Sequence, residues 1–402
     1  MATSPIQPLF SNVDEFSLAA LKAVLSETPG YNRADVPNMM EATTDAEAVA
    51  TFLREYKSAK LTHRSYLKEI ERLILWCVYV EEIGISSLKR EHLVQYREFL
   101  SDPQPTARWC GPRANRTLSD GAPNPNWRPF AKPLSGPTIR KTISILDSFF
   151  NYLVQNNYLA GNPMAVDKRK KGKKSRSTDR WLERDEITAT LTALDELATN
   201  LPEKKFEAQR AKFILLTLFY TGLRLAELTN HAMGNFSLIE NEWYLTVTGK
   251  GEKERRIVVV DEYLDVLTTF RKLIELDSPF PTYQEKTPII CALDKKNPLT
   301  DSRIWQIVKW SFTLGANYLE RKTHSDPENA SVWEHKASKL RKASPHWLRH
   351  SYGTYLVKSG CPIEKVKELM GHSDISTTMI YVHIANNDLH ASARGLSLDE
   401  ED

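Results

Sequence analysis

The chain has 402 residues, 41% of them hydrophobic and 26% charged, a length that favours two cores and a composition ordinary for a soluble globular protein. Its longest apolar run, FILLTLFY at 213–220, is too short to cross a bilayer, and four scattered cysteines (Cys77, Cys110, Cys291, Cys361) suit neither a disulfide framework nor a zinc pair. The net charge of +3 hides an asymmetry: residues 1–50 carry −5 and Asp399–Asp402 another −4, so the body between them stands at +12, a balance suited to a polyanion such as DNA or RNA.

Residues 1–44 show little periodicity and are expected to form an arm or a short helix. From 45 to 100 apolar residues recur at helical spacing, as at Tyr66, Ile70, Leu73, Ile74 and Val78, and three helices fit there. The stretch 101–133 is too dense in Pro, Gly and Asn for a regular element, and is expected to be either functional or loosely ordered. A further helix in SGPTIRKTISILDSFFNYLVQNNYL closes an all-α N-terminal domain at 45–160. A basic linker follows at 161–180; its segment DKRKKGKKSRSTDR holds eight bases and two acids. Lys168, Arg169, Lys170, Lys171, Lys173 and Lys174 within it are candidates to lie along phosphates, where each contact releases a counterion.

The domain expected at 181–395 changes texture. Helices come first, then a strand–turn–strand pattern, EWYLTVTGKGEKERRIVVV, with Gly249 and Gly251 at the turn. A helix near 261–276, another over LTDSRIWQIVKWSFTLGANYLE capped by Thr300 or Ser302, and short helices divided by Gly360 and Gly371 complete it. The fold class is therefore an all-α domain plus a mainly helical α+β domain with a small antiparallel sheet, ending in an acidic tail at 396–402. The absence of a basic segment followed by an apolar stretch at the N-terminus, together with the unpaired cysteines, points to a reducing, cytoplasmic compartment.

Four clusters carry candidate chemistry. TGLRLAEL places Arg224 after a tight turn with Glu227 three residues on, and TGKGEKER places Lys250 on a hairpin tip. PHWLRHSYGTYLVKSG holds His346, Arg349 and His350 within a turn and a half, and LMGHSDISTTMIYVH holds His372 and Tyr381. Singly, each has a plainer reading as a surface ion pair, a solvated turn or a packed core residue.

Together, in this order, they resemble the tyrosine recombinase (phage integrase) family, whose set runs Arg, Lys, His-x-x-Arg, His, Tyr: here Arg224, Lys250, His346, Arg349, His372 and Tyr381. The resemblance covers about 178–390 well. It fits 45–160 only loosely, as the SAM-like core-binding domain; the inserts at 101–133 and 318–343 depart from it. It implies the tyrosine recombinase / topoisomerase IB-like fold and site-specific cutting and rejoining of DNA through a 3′-phosphotyrosyl intermediate. It also implies a double-stranded recombination site as partner, a self-assembled tetramer, accessory DNA-bending proteins as further candidates, and a nucleoid-associated location. The two domains would grip opposite faces of the duplex, and the C-terminal tail would dock on a neighbouring protomer.

The residue types suit that chemistry. A phosphotyrosyl ester stores the broken bond for rejoining, so no cofactor is expected, and the chain has no phosphate-binding G-x-x-x-x-G-K-[ST] match. Paired donors of Arg224 and Arg349 suit the charge on the phosphoryl oxygens. The resemblance gives protonation of the leaving 5′ oxygen chiefly to Lys250, proton transfer at Tyr381 to His346 and phosphate binding to His372, while Glu227 orients the site; His350 is expected to make a structural hydrogen bond. Two rival readings stand beside this one. A zinc hydrolase would use His346 and His350 but lacks an H-E-x-x-H pattern, and a catalytically inactive architectural DNA-binding factor would have no need of Lys250 and Tyr381.

Overall fold

In a computed structural model, residues 6–25, 27–165, 180–249 and 253–385 are described. Lys250, the linker bases Lys168 to Lys174 and the acidic tail lie outside them. The chain divides into two compact units, Met1–Gly172 and Lys173–Asp402.

The first unit is helical: α1 (Leu18–Val24), α2 (Asp45–Glu55), α3 (Lys60–Trp76), α4 (Arg90–Ser101), the single turn α5 (Thr106–Trp109) and α6 (Gly136–Gln155). The helical spacing of its apolar residues puts one stripe of each long helix inward. Phe52 of α2 is the hub, its ring 5.1–5.3 Å from those of Tyr56, Tyr66, Phe149 and Tyr152. The segment 6–25 shares this core, since Ile6, Phe10, Leu21 and Leu25 are buried in it.

The insert at 101–133 is likewise packed rather than loose. Trp109 and Phe130 are buried, Arg116 forks onto the buried Glu71 carboxylate at 2.7 and 2.6 Å, and Arg72 donates to the Pro129 carbonyl while pairing with Glu69. These polar groups are lodged inside the helical core and paired there, which ties an irregular segment down without secondary structure. Trp109→Ala is accordingly expected to cost about 3–5 kcal/mol, the loss of a filled core site. A urea midpoint close to that of the wild type would show instead that the insert is dispensable packing.

The second unit opens with α7 (Arg184–Asn200), α8 (Lys205–Thr221) and the short α9 (Leu225–Thr229). An antiparallel sheet follows: β1 (Phe236–Ile239), β2 (Glu242–Thr248) and β3 (Glu254–Val258) in that order. β1 is an addition to the two strands read from sequence. Phe236, Leu245 and Ile257 lie side by side across the three strands and face the core, and Arg255 lies opposite Val247 on that same inward face. The remaining helices are α10 (Asp261–Leu273), α11 (Asp301–Ser325), α12 (Ala330–Lys342), α13 (Pro345–Lys358), α14 (Ile363–Met370) and α15 (Ile375–Ala385). The Thr300 hydroxyl caps α11 by accepting from the Arg303 N–H. The insert at 318–343 is the end of α11 folded back as α12. Buried α8 packs against α7, α10, α11 and α13, so the catalytic-looking helix α13 rests on the centre of the core. Among the described residues no helix is long and apolar enough to cross a membrane.

Candidate active site

Two helix ends build the floor of the site. α8 stops at Gly222 (φ 60°) and α14 at Gly371 (φ 61°), both in the left-handed region where a side chain is strained. The last carbonyls of these helices carry the negative end of the helix dipole, and both candidate arginines use them. Arg349, on α13 and 2% exposed, donates to the carbonyls of Gly222 and Met370. Arg224, just before α9 with a side chain 40% exposed, donates to the Gly371 carbonyl at 3.1 Å. Two guanidinium groups are thus anchored from behind, and Arg224 keeps an open face. Burial, then the Arg224 charge, lowers the Arg349 pKa to about 10, which still leaves it cationic at neutral pH.

Glu227 lies at the third position of α9, where its carboxylate accepts the Arg224 backbone N–H at 2.8 Å as a helix cap. It also accepts from the Arg224 Nη1 at 2.8 Å and from both terminal nitrogens of Arg255 at 2.9 Å. Burial alone would raise its pKa; hydrogen bonds from Arg255 and then Arg224 outweigh that and hold it at about 2. His231 follows as a buried strut. It accepts the Thr248 N–H at Nε2 (2.9 Å), so its Nδ1–H donates to the Glu227 carbonyl at 2.7 Å, and the end of β2 is tied to α9. Beyond Thr248, Gly249 and Lys253 close the hairpin with a 2.8 Å bond, and a Cβ on Gly249 would stand 3.5 Å from Glu227. The hairpin stem therefore lies against the Arg224–Glu227 pair.

α13 contributes His346, Arg349 and His350 from adjoining turns. His346 is exposed at the rim but crowded by the surrounding recess; that desolvation, followed by the Arg349 and Arg224 charges, lowers its pKa. His350 was expected to make a structural hydrogen bond. Among the described residues its Nδ1 is buried without a partner, and its ring meets those of His346 (4.4 Å between centroids) and Tyr381 (5.6 Å). A spacing rule finds the His346 ring one turn back, whereas the Tyr381 ring on its other side comes from α15. Among the described residues no group of three His, Cys, Asp or Glu is arranged to hold a metal.

The turn after α14 and α15 itself bring the last members. His372, in the turn after Gly371, bonds through Nδ1 to the Thr378 hydroxyl at 3.0 Å, and its ring stacks at 13° over that of Tyr381, 6.1 Å away. Tyr381 is 1% exposed and lies on Gly353 of α13, where any Cβ would come within 2.9 Å of the phenol ring. Burial raises its pKa to about 12 against the opposing pull of Arg349 and Arg224.

Arg224, Glu227, His346, Arg349, His372 and Tyr381 are thus grouped around α13 and the ends of α8 and α14, while Lys250 falls outside the described residues. Sequence reasoning passed over His231, Thr378 and Arg255. For Arg255 a signal existed: in ERRIV, an inward-facing Ile257 places Arg255 inward as well, and a charge at a core-facing strand position needs a partner.

The half-buried imidazoles make acid stability a direct test of this geometry. Burial first, then neighbouring positive charge, lowers His350 from 6.5 to about 3 and His372 to about 4. Between those values and 6.5 the unfolded chain binds protons that the folded chain refuses, so stability rises with pH there and is lost as pH falls below 6.5. Glu227 adds a loss of the same sign as pH falls from 4.5 towards about 2. Unfolding free energies from urea titrations should fall by at most about 1.4 kcal/mol per pH unit for each histidine between about pH 6.5 and about pH 4, and His350→Gln should flatten the slope. A stability independent of pH above 4.5 would contradict neutral, half-buried imidazoles.

Residues 180–388 match the model of the phage integrase family. The chain belongs to that family. It is a tyrosine-type site-specific DNA recombinase, an enzyme that cuts and rejoins DNA strands. Over 256 residues it is 29% identical to the tyrosine recombinase XerD of Staphylococcus aureus, covering 63% of this chain and 74% of the relative. Over 252 residues it is 30% identical to a tyrosine recombinase of Thermosipho africanus, covering 62% and 73%. Among solved structures it resembles the XerH site-specific recombinase in a post-cleavage complex with palindromic difH substrate, at a TM-score of 0.55 and 17% identity over 96% of each chain. It also resembles the Tn1549 transposon integrase in complex with transposon right end DNA, at 0.55 and 16% identity over 87% of this chain and 98% of that one. These two likenesses establish the fold, an all-α domain and a helix-rich α+β domain with a three-stranded sheet.

Proposed function

We propose that Tyr381 is the nucleophile and that the recess around it holds one scissile phosphate. The observation that carries this is the grouping of two anchored arginines, two neutral imidazoles and the phenol around α13 and the ends of α8 and α14. The Tyr381 Oη–P bond forms as the bond from phosphorus to the 5′ oxygen breaks, leaving a 3′-phosphotyrosyl ester and a free 5′ hydroxyl; the reverse attack rejoins the strand. Arg224 and Arg349 stabilise the charge that gathers on the phosphoryl oxygens. His346, kept neutral by its lowered pKa, is able to accept the phenol proton at neutral pH, and His372 binds the phosphate from the Tyr381 side. Lys250, which follows β2 and Gly249 in sequence, protonates the leaving oxygen.

The finer features belong to the same proposal. Residues 45–160 act as the core-binding domain, Lys168, Arg169, Lys170, Lys171, Lys173 and Lys174 run along phosphates, and four protomers assemble because one site cuts one strand. Accessory DNA-bending proteins are candidate partners, and the cytoplasm, at the nucleoid, is the place of action. A nicked suicide substrate tests the core of the reading: a covalent protein–DNA band resistant to denaturant is expected. Tight, specific binding with no such band would favour an architectural DNA-binding factor.

A further inference from the structure

We propose that Arg255 is a positioning residue of strand cleavage, holding Glu227 so that Arg224 turns its guanidinium to the phosphate. This rests on the reading that Arg224 binds that phosphate. The Arg255 side chain is 7% exposed, so it orients the site from behind rather than touching substrate. Its Nε–H donates to the Leu369 carbonyl at 3.0 Å, and Nη1 and Nη2 donate to the two Glu227 oxygens at 2.9 Å each. One planar group therefore joins β3, α9 and the end of α14, three elements that bear on the active site.

The contact is fitted on both sides. A Cβ on Gly371 would stand 3.0 Å from the Arg255 guanidinium, so the turn before His372 is closed down onto it. Glu227 in turn holds Arg224 twice, through its backbone N–H and through Nη1. Each Glu227 oxygen is shared between the two arginines. With Arg255 removed, the carboxylate would be free to fork onto Arg224 alone, turning its planar donors away from phosphate and cancelling its charge. Arg255 thus keeps Glu227 from quenching the residue that it orients.

Arg255→Met and Arg255→Lys separate this from a merely structural role. The Met variant should lose about 100-fold in the single-turnover rate of covalent adduct formation, with Kd for the site near that of the wild type, because misplacement by about 1 Å is enough for such a loss. Lysine, one point charge in place of a fork, should recover only part of the rate. Since Arg255 acts through Glu227, the Glu227→Gln/Arg255→Met double variant should be no slower than Glu227→Gln alone. In an NMR spectrum the Arg224 Nε–H resonance should shift in Arg255→Met and in Glu227→Gln alike. Rates that multiply in the double variant, a Met variant that cleaves like the wild type, or an unmoved Arg224 resonance would overturn the proposal. Should wild-type protein form no adduct, the cleavage reading fails by itself, and the Arg224 resonance still decides whether Arg255 positions that residue. If the Met variant does not fold, the same resonance is read in Arg255→Lys.

Discussion

Tyr381→Phe is expected to abolish the covalent protein–DNA adduct while leaving site binding near wild type. The substitution removes one oxygen and keeps the ring, which is what packs on Gly353 and stacks with His372. His346 and His372 would not replace it, because a histidine forms no stable phosphoester of the kind that rejoining needs. The fold should be unaffected, since the ring contacts and their buried area persist. The check is a suicide-substrate gel beside a binding titration of the same preparation. An adduct formed by the Phe variant would show that Tyr381 is not the nucleophile.

Arg349→Lys is the second large effect, and it should strike both rate and stability. Lysine keeps the charge but cannot fork onto phosphate while also serving the Gly222 and Met370 carbonyls, which face Arg349 from two different helix ends. Cleavage should fall by about 10²–10³-fold, the cost of one lost transition-state donor. A carbonyl left without its partner in this buried place should cost about 1–3 kcal/mol in addition. Single-turnover cleavage and urea denaturation measure the two separately. A Lys variant within a few-fold of wild type in cleavage would show that charge alone, without the paired donors, holds the phosphate. One that cleaves slowly yet is fully stable would show that the carbonyl contacts add little.

What the sequence could disclose was local or compositional. Helical spacing in 45–100 and in α6, the alternation of EWYLTVT, and glycine or proline at the ends of α8, α13 and α14 each depend on a chain segment and its own solvent exposure, so they read directly. The order of Arg224, Lys250, His346, Arg349, His372 and Tyr381 was legible for a different reason: a phosphoryl-transfer site needs those residue types, and the words around them are distinctive. The role of residues 1–44 and of the insert at 101–133 was not legible, because Ile6, Phe10 and Trp109 have no periodic neighbours and gain their burial only from helices far along the chain.

Tertiary structure alone decided how the site is held. Arg224 meets the Gly371 carbonyl across 147 positions and Arg255 meets that of Leu369 across 114, and no rule of spacing reaches so far. Whether an arginine is a solvated charge or a buried fork depends on what faces it, which for Arg255 is a strand register, a helix cap and a left-handed glycine together. The same holds for His350, whose position one turn beyond His346 was plain, but whose unpartnered Nδ1 and low pKa arise from the packing of α15 over α13. Residue type and order name the reaction; the burial and hydrogen bonding that set each group's charge and direction come from elements brought together only by folding.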